Sequence, residues 1–409
     1  MDTALKSKLD PHFSRGRCKQ LLLDLVRVES PQTALLEKEP LLRQFIKTAV
    51  EPRLREMGVD AIRYDDMGNL IAELGSAKSG KSLMFVVHAM NQPAATMQNA
   101  YAGEVLDGKL FDLPGEVIRG RGASEQKSTM AAMFHALEAI LRSGAAVDGR
   151  LYFVCCVSGE TGRDDAIRNV VEREGVRADL ALVYGNSLKL QLGNRGRIDM
   201  EVGVIGKPSH SSRPAEGCNA VTGAVEVVRR LVSEINLDRT HAELGRATLT
   251  INRVRSFPES THTVPGRCEI GVDRRLLPGD DPDDAATEIE AVAKKVDGMI
   301  DPVSGKPLQV VVTKGAFMHP SLLTRDAPVV RQIVKSCVAM LGHEPETVYG
   351  KSAFDQGYLN YVGISTANFG PGEEKYAHTD NDVASVERTF DAARVFAFFA
   401  ADYLSPVKS

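Results

Sequence analysis

Four hundred and nine residues at 44.4 kDa exceed the ~250 to 300 residues that one compact core usually holds, so two domains are expected. With 43% hydrophobic and 25% charged residues, 35 Gly and 19 Pro, the composition is that of a folded globular protein and excludes a long disordered or fibrous section. Fifty basic side chains against 54 acidic ones give a formal charge of -4, which removes the basic field that nucleic acid or an anionic membrane surface would require.

The chain opens on MDTALKSKLDPHFSRGRCKQ, which has no apolar leader-like run, and no apolar stretch approaches the ~18 residues of a membrane helix. Six cysteines (Cys18, Cys155, Cys156, Cys218, Cys268, Cys337) are scattered without paired spacing, so reduced thiols and a cytoplasmic location are expected. CKQLLLDLVRV and LLRQFIKTAVEPRLREMG carry helical periodicity; DAIRYDDMGNLIAEL and SLMFVVH are strand-like. After the turn GRGASEQKS come the helix TMAAMFHALEAILRSG, the strand RLYFVCCVSGE, the helix DDAIRNVVEREG and the strand DLALVYG. Such alternation predicts an α/β sheet, with functional groups gathered where strands end. From residue 197 the order becomes strand, helix, two strands, helix, strand (RIDMEVGVIG to PLQVVVTKG), a split-βαβ unit of ferredoxin-like type. The α/β pattern then resumes. The expected division is therefore a discontinuous catalytic domain, 1–196 and 312–409, around an inserted lid or dimerisation domain, 197–311, with hinges near 194–197 and 311–315.

Acidic or histidine residues, or their neighbours, stand at strand ends or in Gly-rich turns in VVHAM (His88), GRGASEQKS (Glu125), SGETG (Glu160), VYGNS (Gly185, Asn186) and EEKYAHTDND (His378). Singly each reads as an ordinary turn residue; together they carry a resemblance over nearly all of the chain. The segments GRGASEQKS, GKPSHSSRPAEGCNAV, VDRRLLPGDD and FGPGEEKYAHTDND, in that order, resemble the metallopeptidase family of acetylornithine deacetylase, succinyl-diaminopimelate desuccinylase, aminoacylase and glutamate carboxypeptidase. The resemblance implies a mixed-sheet zinc-peptidase catalytic domain and two metal ions sharing a bridging Asp. His88 then falls on one His ligand, Glu125 on the bridging Asp, Glu160 on a carboxylate ligand, and His378 on the second His. It also implies that His210 reaches across a homodimer to the neighbouring subunit's substrate, that Arg275 and His262 (where the family has Asn) contact substrate, and that the turn Gly370, Pro371, Gly372 offers amides to a carboxylate.

Three departures change the expected chemistry. Met90 replaces the Asp that orients the ligand His, Gly159 stands where the family has its Glu general base, and Gly185 has no side chain where a carboxylate ligand belongs. Glu125, Glu160 and His378 remain as one complete set, so a single divalent ion (Zn or Mn) per subunit is expected, with His88 as replacement base. Asp355 and Asp382 read as supporting groups, and Cys155 and Cys156 as buried thiols on opposite faces of a strand. The sequence thus points to a metal-dependent hydrolase of a C–N bond in a small carboxylate-bearing molecule. Alternatives are a hydrolytic deaminase of an activated aromatic amine, similar to nitroanthranilate aminohydrolase, and a non-catalytic small-molecule-binding relative.

Overall fold

The computed structural model describes residues 3–76 and 78–406. The chain divides into two compact units, Met1–Leu192 with Leu322–Tyr349 and Tyr358–Ser409, and Gly193–Ser321 with Gly350–Gly357.

The first unit is built on a nine-stranded mixed sheet. At its centre Arg150–Cys156, Ser82–His88, Leu180–Val183 and Ser365–Asn368 lie side by side and parallel. Leu70–Gly75 continues the sheet antiparallel on one side and Leu190–Asn194 on the other. The apolar runs LMFVV and LYFVCC are buried along their whole length, as strands covered on both faces must be. Cys155 and Cys156, pointing to opposite faces, are both buried, and all six cysteines are buried thiols outside any disulfide. The helices Ser128–Ser143 and Val386–Tyr403 pack together over the sheet; the first is buried at every position from Ser128 to Ile140. No helix among the described residues is long and apolar enough to cross a membrane.

Within that helix Glu138 is a buried acid with named partners. Arg17 Nε donates to it at 3.0 Å, and His135 Nδ1 lies 3.2 Å away. His135 Nε2 accepts the Ser14 amide at 2.9 Å, so its proton resides on Nδ1 and is donated to Glu138. Burial alone would raise this carboxyl, but the His135 and Arg17 hydrogen bonds hold it at about 2. A folded-state value below the unfolded value of ~4.3 gives stability that is present above pH ~4.3 and lost as pH falls toward 2. Glu138→Gln is expected to lower stability at neutral pH by about 1–3 kcal/mol and to flatten the loss between pH ~4 and ~2, read from urea midpoints across that range.

The second unit is a four-stranded antiparallel sheet in the order Thr248–Phe257, Arg267–Leu276, Gly196–Ile205, Gln309–Met318. Gly196–Ile205 alternates buried and half-buried positions, because Ala220–Glu234 and Pro282–Ala293 cover one face only. This is the strand order of a split-βαβ unit. Residues 311–315, expected as a hinge, lie inside the last strand, which runs on to Met318. The return of 350–357 to this unit has no counterpart in the sequence pattern.

Candidate active site

Parallel strands end together, and the four central ones deliver His88, then Gly159 and Glu160, then Tyr184 to Asn186, then Phe369 to Gly372 to one edge of the sheet. Glu125 arrives from the wide helical turn Ala123–Lys127, entered through Gly122 at φ 83. A Cβ on Gly122 would lie 2.1 Å from Asn91 Oδ1, so both conformation and space require glycine there. Asp382, almost fully buried, anchors this turn by accepting from the Gly122 and Ser124 amides at 2.7 and 2.8 Å and from Arg121 Nη1 at 3.3 Å. In Asp382→Asn one amide loses its acceptor and the Arg121 charge its partner. The expected result is a stability loss of about 1–3 kcal/mol in thermal melts and metal affinity weakened about 10- to 100-fold.

Glu125, Glu160 and His378 form one group whose ligand atoms all lie within 4.8 Å of each other. His378 Nε2 is 3.1 Å from Glu125 Oε2 and 3.6 Å from Glu160 Oε2. His378 holds a left-handed backbone, φ 64, a conformation a non-glycine residue adopts only when its surroundings impose it. Burial and the neighbouring charge of Glu125 push Glu160 up to about 7, and the hydrogen bond to Glu125 pushes His378 up to about 9. A proton is thus drawn to the point where two acids face one imidazole, which is also the demand for a cation. Two carboxylates and an imidazole suit a borderline divalent ion, with room left for water. Gln92, which no sequence signal singled out, donates to Glu160 Oε2 at 3.0 Å.

His88 is buried beside this group, its Nε2 3.9 Å from Glu160 Oε1. Its Nδ1 is 2.8 Å from the Met90 carbonyl oxygen. A carbonyl only accepts, so Nδ1 carries the proton and Nε2 presents a lone pair. The loss of the orienting Asp at position 90 therefore does not loosen the ring, contrary to expectation: the backbone of the same residue does the orienting. Burial lowers His88 below the ordinary imidazole value, keeping it neutral. A Cβ on Gly159 would lie 2.1 Å from His88 Cδ2 and 2.5 Å from Nε2, so the ring fills the space in which a side chain at 159 would begin.

Gly185 is equally constrained: a Cβ there would lie 2.6 Å from the Phe369 backbone. In the Gly370–Gly372 turn, expected to offer its amides to a carboxylate, the Gly372 amide is already committed. Gly372 N–H donates to the Gly185 carbonyl at 2.9 Å, while the Gly370 and Gly372 carbonyls accept from Leu188 and Ser187 at 2.9 and 2.7 Å. Glu373 N–H donates to Ser124 O at 2.7 Å, so the turn clamps the 185–188 loop to the turn bearing Glu125. Asn186 Oδ1 is buried without a partner, a neutral oxygen close to the vacated ligand position. Tyr184, not foreseen, feels the charges of Glu125 and Glu160; burial first, then these charges, push its phenol well above its usual value, so it stays a protonated donor. Asp355 begins the helix Asp355–Tyr361, outside this group.

In the second unit His210 and His262 come together on an exposed two-stranded ribbon, with His210 opposite Thr263 and Ser211 N–H donating to the His262 carbonyl at 3.0 Å. Arg275 Nε donates to Asp273 at 3.0 Å, and Asp273 also pairs with Arg197, which holds Asp199. Arg195 stands near enough that the Arg275 charge, after burial, lowers it.

Residues 192–299 match the family model described as the peptidase dimerisation domain. An uncharacterized protein of Escherichia coli, YgeY, is 24% identical over 87% of this chain and 89% of its own length. The acetylornithine deacetylase of Myxococcus xanthus is 27% identical over 86% and 90%. The M20 family metallo-carboxypeptidase Sso-CP2 of Sulfolobus solfataricus superposes with a TM-score of 0.74 at 16% identity, covering 94% of this chain and 98% of that one. The chain is thus similar over most of its length to acetylornithine deacetylase, shares the fold of an M20 family metallo-carboxypeptidase, and matches a peptidase dimerisation domain over 192–299, nearly all of it within the second unit.

Proposed function

We propose that the protein hydrolyses a C–N bond of the amide class in a small carboxylate-bearing molecule, with one divalent ion per chain and His88 as base. The observation that supports this best is the convergence of Glu125, Glu160 and His378 beside a neutral imidazole whose free lone pair faces them. When bound, the ion supplies Lewis-acid polarisation and acidifies water. Glu125, Glu160 and His378 would hold it, and Gln92 fixes the Glu160 carboxylate. His88 Nε2 then receives the water proton, its orientation set in advance by Met90, and Tyr184, which feels the charges of Glu125 and Glu160, stays a protonated phenol. A single ion is supported by the ligands at hand: Gly185 contributes none, and His88 stands beside the group of Glu125, Glu160 and His378 and not within it.

Arg275 is proposed to contact substrate; within the second unit Arg195, Arg197 and Arg275 outnumber Asp199 and Asp273 by one charge. His210 and His262, on their ribbon, are proposed to meet substrate held by the other subunit of a homodimer. The strand Thr248–Phe257 supports such a dimer, since it lies at the sheet edge, as do the exposed Val225 and Val232 on Ala220–Glu234.

Elemental analysis of protein purified without chelator tests the reading. One ion per chain is expected in the parent and in His88→Ala, with turnover of N-acyl amino acids reduced roughly 100-fold in the variant. Two ions in the parent, or lost metal in His88→Ala, would make His88 a ligand and end its assignment as base.

A further inference from the structure

The imidazole of His210 is exposed, yet its ring is held by its own chain. Ser212 N–H lies 3.2 Å from His210 Nδ1 and Ser212 Oγ lies 2.8 Å from the same atom. An amide N–H only donates, so Nδ1 must be the unprotonated nitrogen, and the serine hydroxyl donates to it as well. The proton is left on Nε2, on the far side of the ring from the two donors. His88 has the opposite arrangement, a carbonyl at Nδ1 and a lone pair at Nε2.

We infer that Ser212 is a positioning residue: its amide and hydroxyl lock His210 as the Nε2–H tautomer, a fixed hydrogen-bond donor. Two histidines of one chain are thereby set to opposite tasks by local groups, His88 to take a proton and His210 to offer a hydrogen bond to a developing oxyanion. The tautomer itself depends only on the ribbon; its use in turnover rests on the proposed placement of His210 against substrate.

The test uses the full-length protein labelled with ¹⁵N-histidine. Two-bond ¹H–¹⁵N spectra are recorded near pH ~9, well above the ordinary imidazole value of ~6.5, with His210 assigned through His210→Gln. The expected spectrum is that of an Nε2–H ring. Ser212→Ala keeps the amide and removes the hydroxyl, so the Nε2–H to Nδ1–H ratio should fall about 5-fold, the effect of one neutral hydrogen bond, and Ser212→Thr should restore it. With an N-acyl amino acid as probe, kcat should fall in step with the tautomer fraction at unchanged metal content. An Nδ1–H ring in the parent, a ratio unmoved in Ser212→Ala, or lost kcat without a tautomer shift would each overturn the lock. Unaltered turnover in His210→Gln would instead overturn the placement of His210 at substrate, and the spectra separate that failure from failure of the lock.

Discussion

Glu160→Gln should abolish turnover, by about 10³-fold or more, and strip the metal, yet leave the chelator-treated protein more stable than the parent. Both effects follow from the same atoms. Glu160 supplies one of three ligand groups, and an amide oxygen lacks the charge that holds a divalent ion. Without an ion, the parent keeps two acids facing each other at a buried edge, and burial with the Glu125 charge holds Glu160 at about 7. Replacing it with a neutral isostere removes both the desolvation and the repulsion, a gain of about 1–3 kcal/mol, while Gln92 still finds an oxygen to bond. Added Zn²⁺ should then raise the melting temperature of the parent and leave Glu160→Gln unmoved, because only a fold that binds the ion is stabilised by it. A variant that keeps full metal content would place the ion on other ligands. A variant less stable than the chelated parent would mean that Glu160 serves the fold and not the ion.

The residues that bring these carboxylates together were legible because their signals are local and periodic. Short buried runs ending in His88, or four residues before Glu160, announce strands whose ends carry chemistry, and the glycines before Glu125 announce the turn that presents it. The split-βαβ unit was legible for the same reason, since its helices and strands alternate with clean periods. What could not be read are contacts made by backbone or by neutral side chains across the sheet edge. The carbonyl of Met90 replaces a carboxylate that the sequence shows only as missing. Gly372 looks like an open amide until its bond to Gly185 is seen. Gln92 and Tyr184 belong to residue types common in any loop, and only register brings them to the acids. The absence of a side chain at position 159 reads in sequence as a lost base; in the structure it is the room in which His88 sits.

That difference yields the second large expected effect. Were Gly159 simply a lost function, Gly159→Glu would return a general base to its family position and raise amide hydrolysis. The structure requires the opposite. Any side chain at 159 starts 2.1 Å from His88 Cδ2 and 2.5 Å from its Nε2, well inside contact distance, and His88 is itself buried and tethered to Met90. Either the ring or the 159 backbone must move. Overpacking of this kind costs about 1–3 kcal/mol, and the new carboxylate would add a charge next to Glu160, which already resists ionisation. Turnover should fall roughly 100-fold as the Nε2 lone pair is displaced, with a loss of about 2–4 °C in melting temperature per kcal/mol. Gly159→Ala should reproduce most of the stability loss, because the clash begins at Cβ. Combining Gly159→Glu with His88→Ala should recover that stability, since the collision partner is then gone, and the two substitutions should be strongly non-additive in a double-mutant cycle. Turnover and melting temperature measured on the four proteins decide the matter. A Gly159→Glu variant that is stable and faster than the parent would show that His88 yields its place freely and is not the base. A double variant more active than either single one would show that a carboxylate at 159 can take over the proton transfer once the His88 ring no longer fills its space.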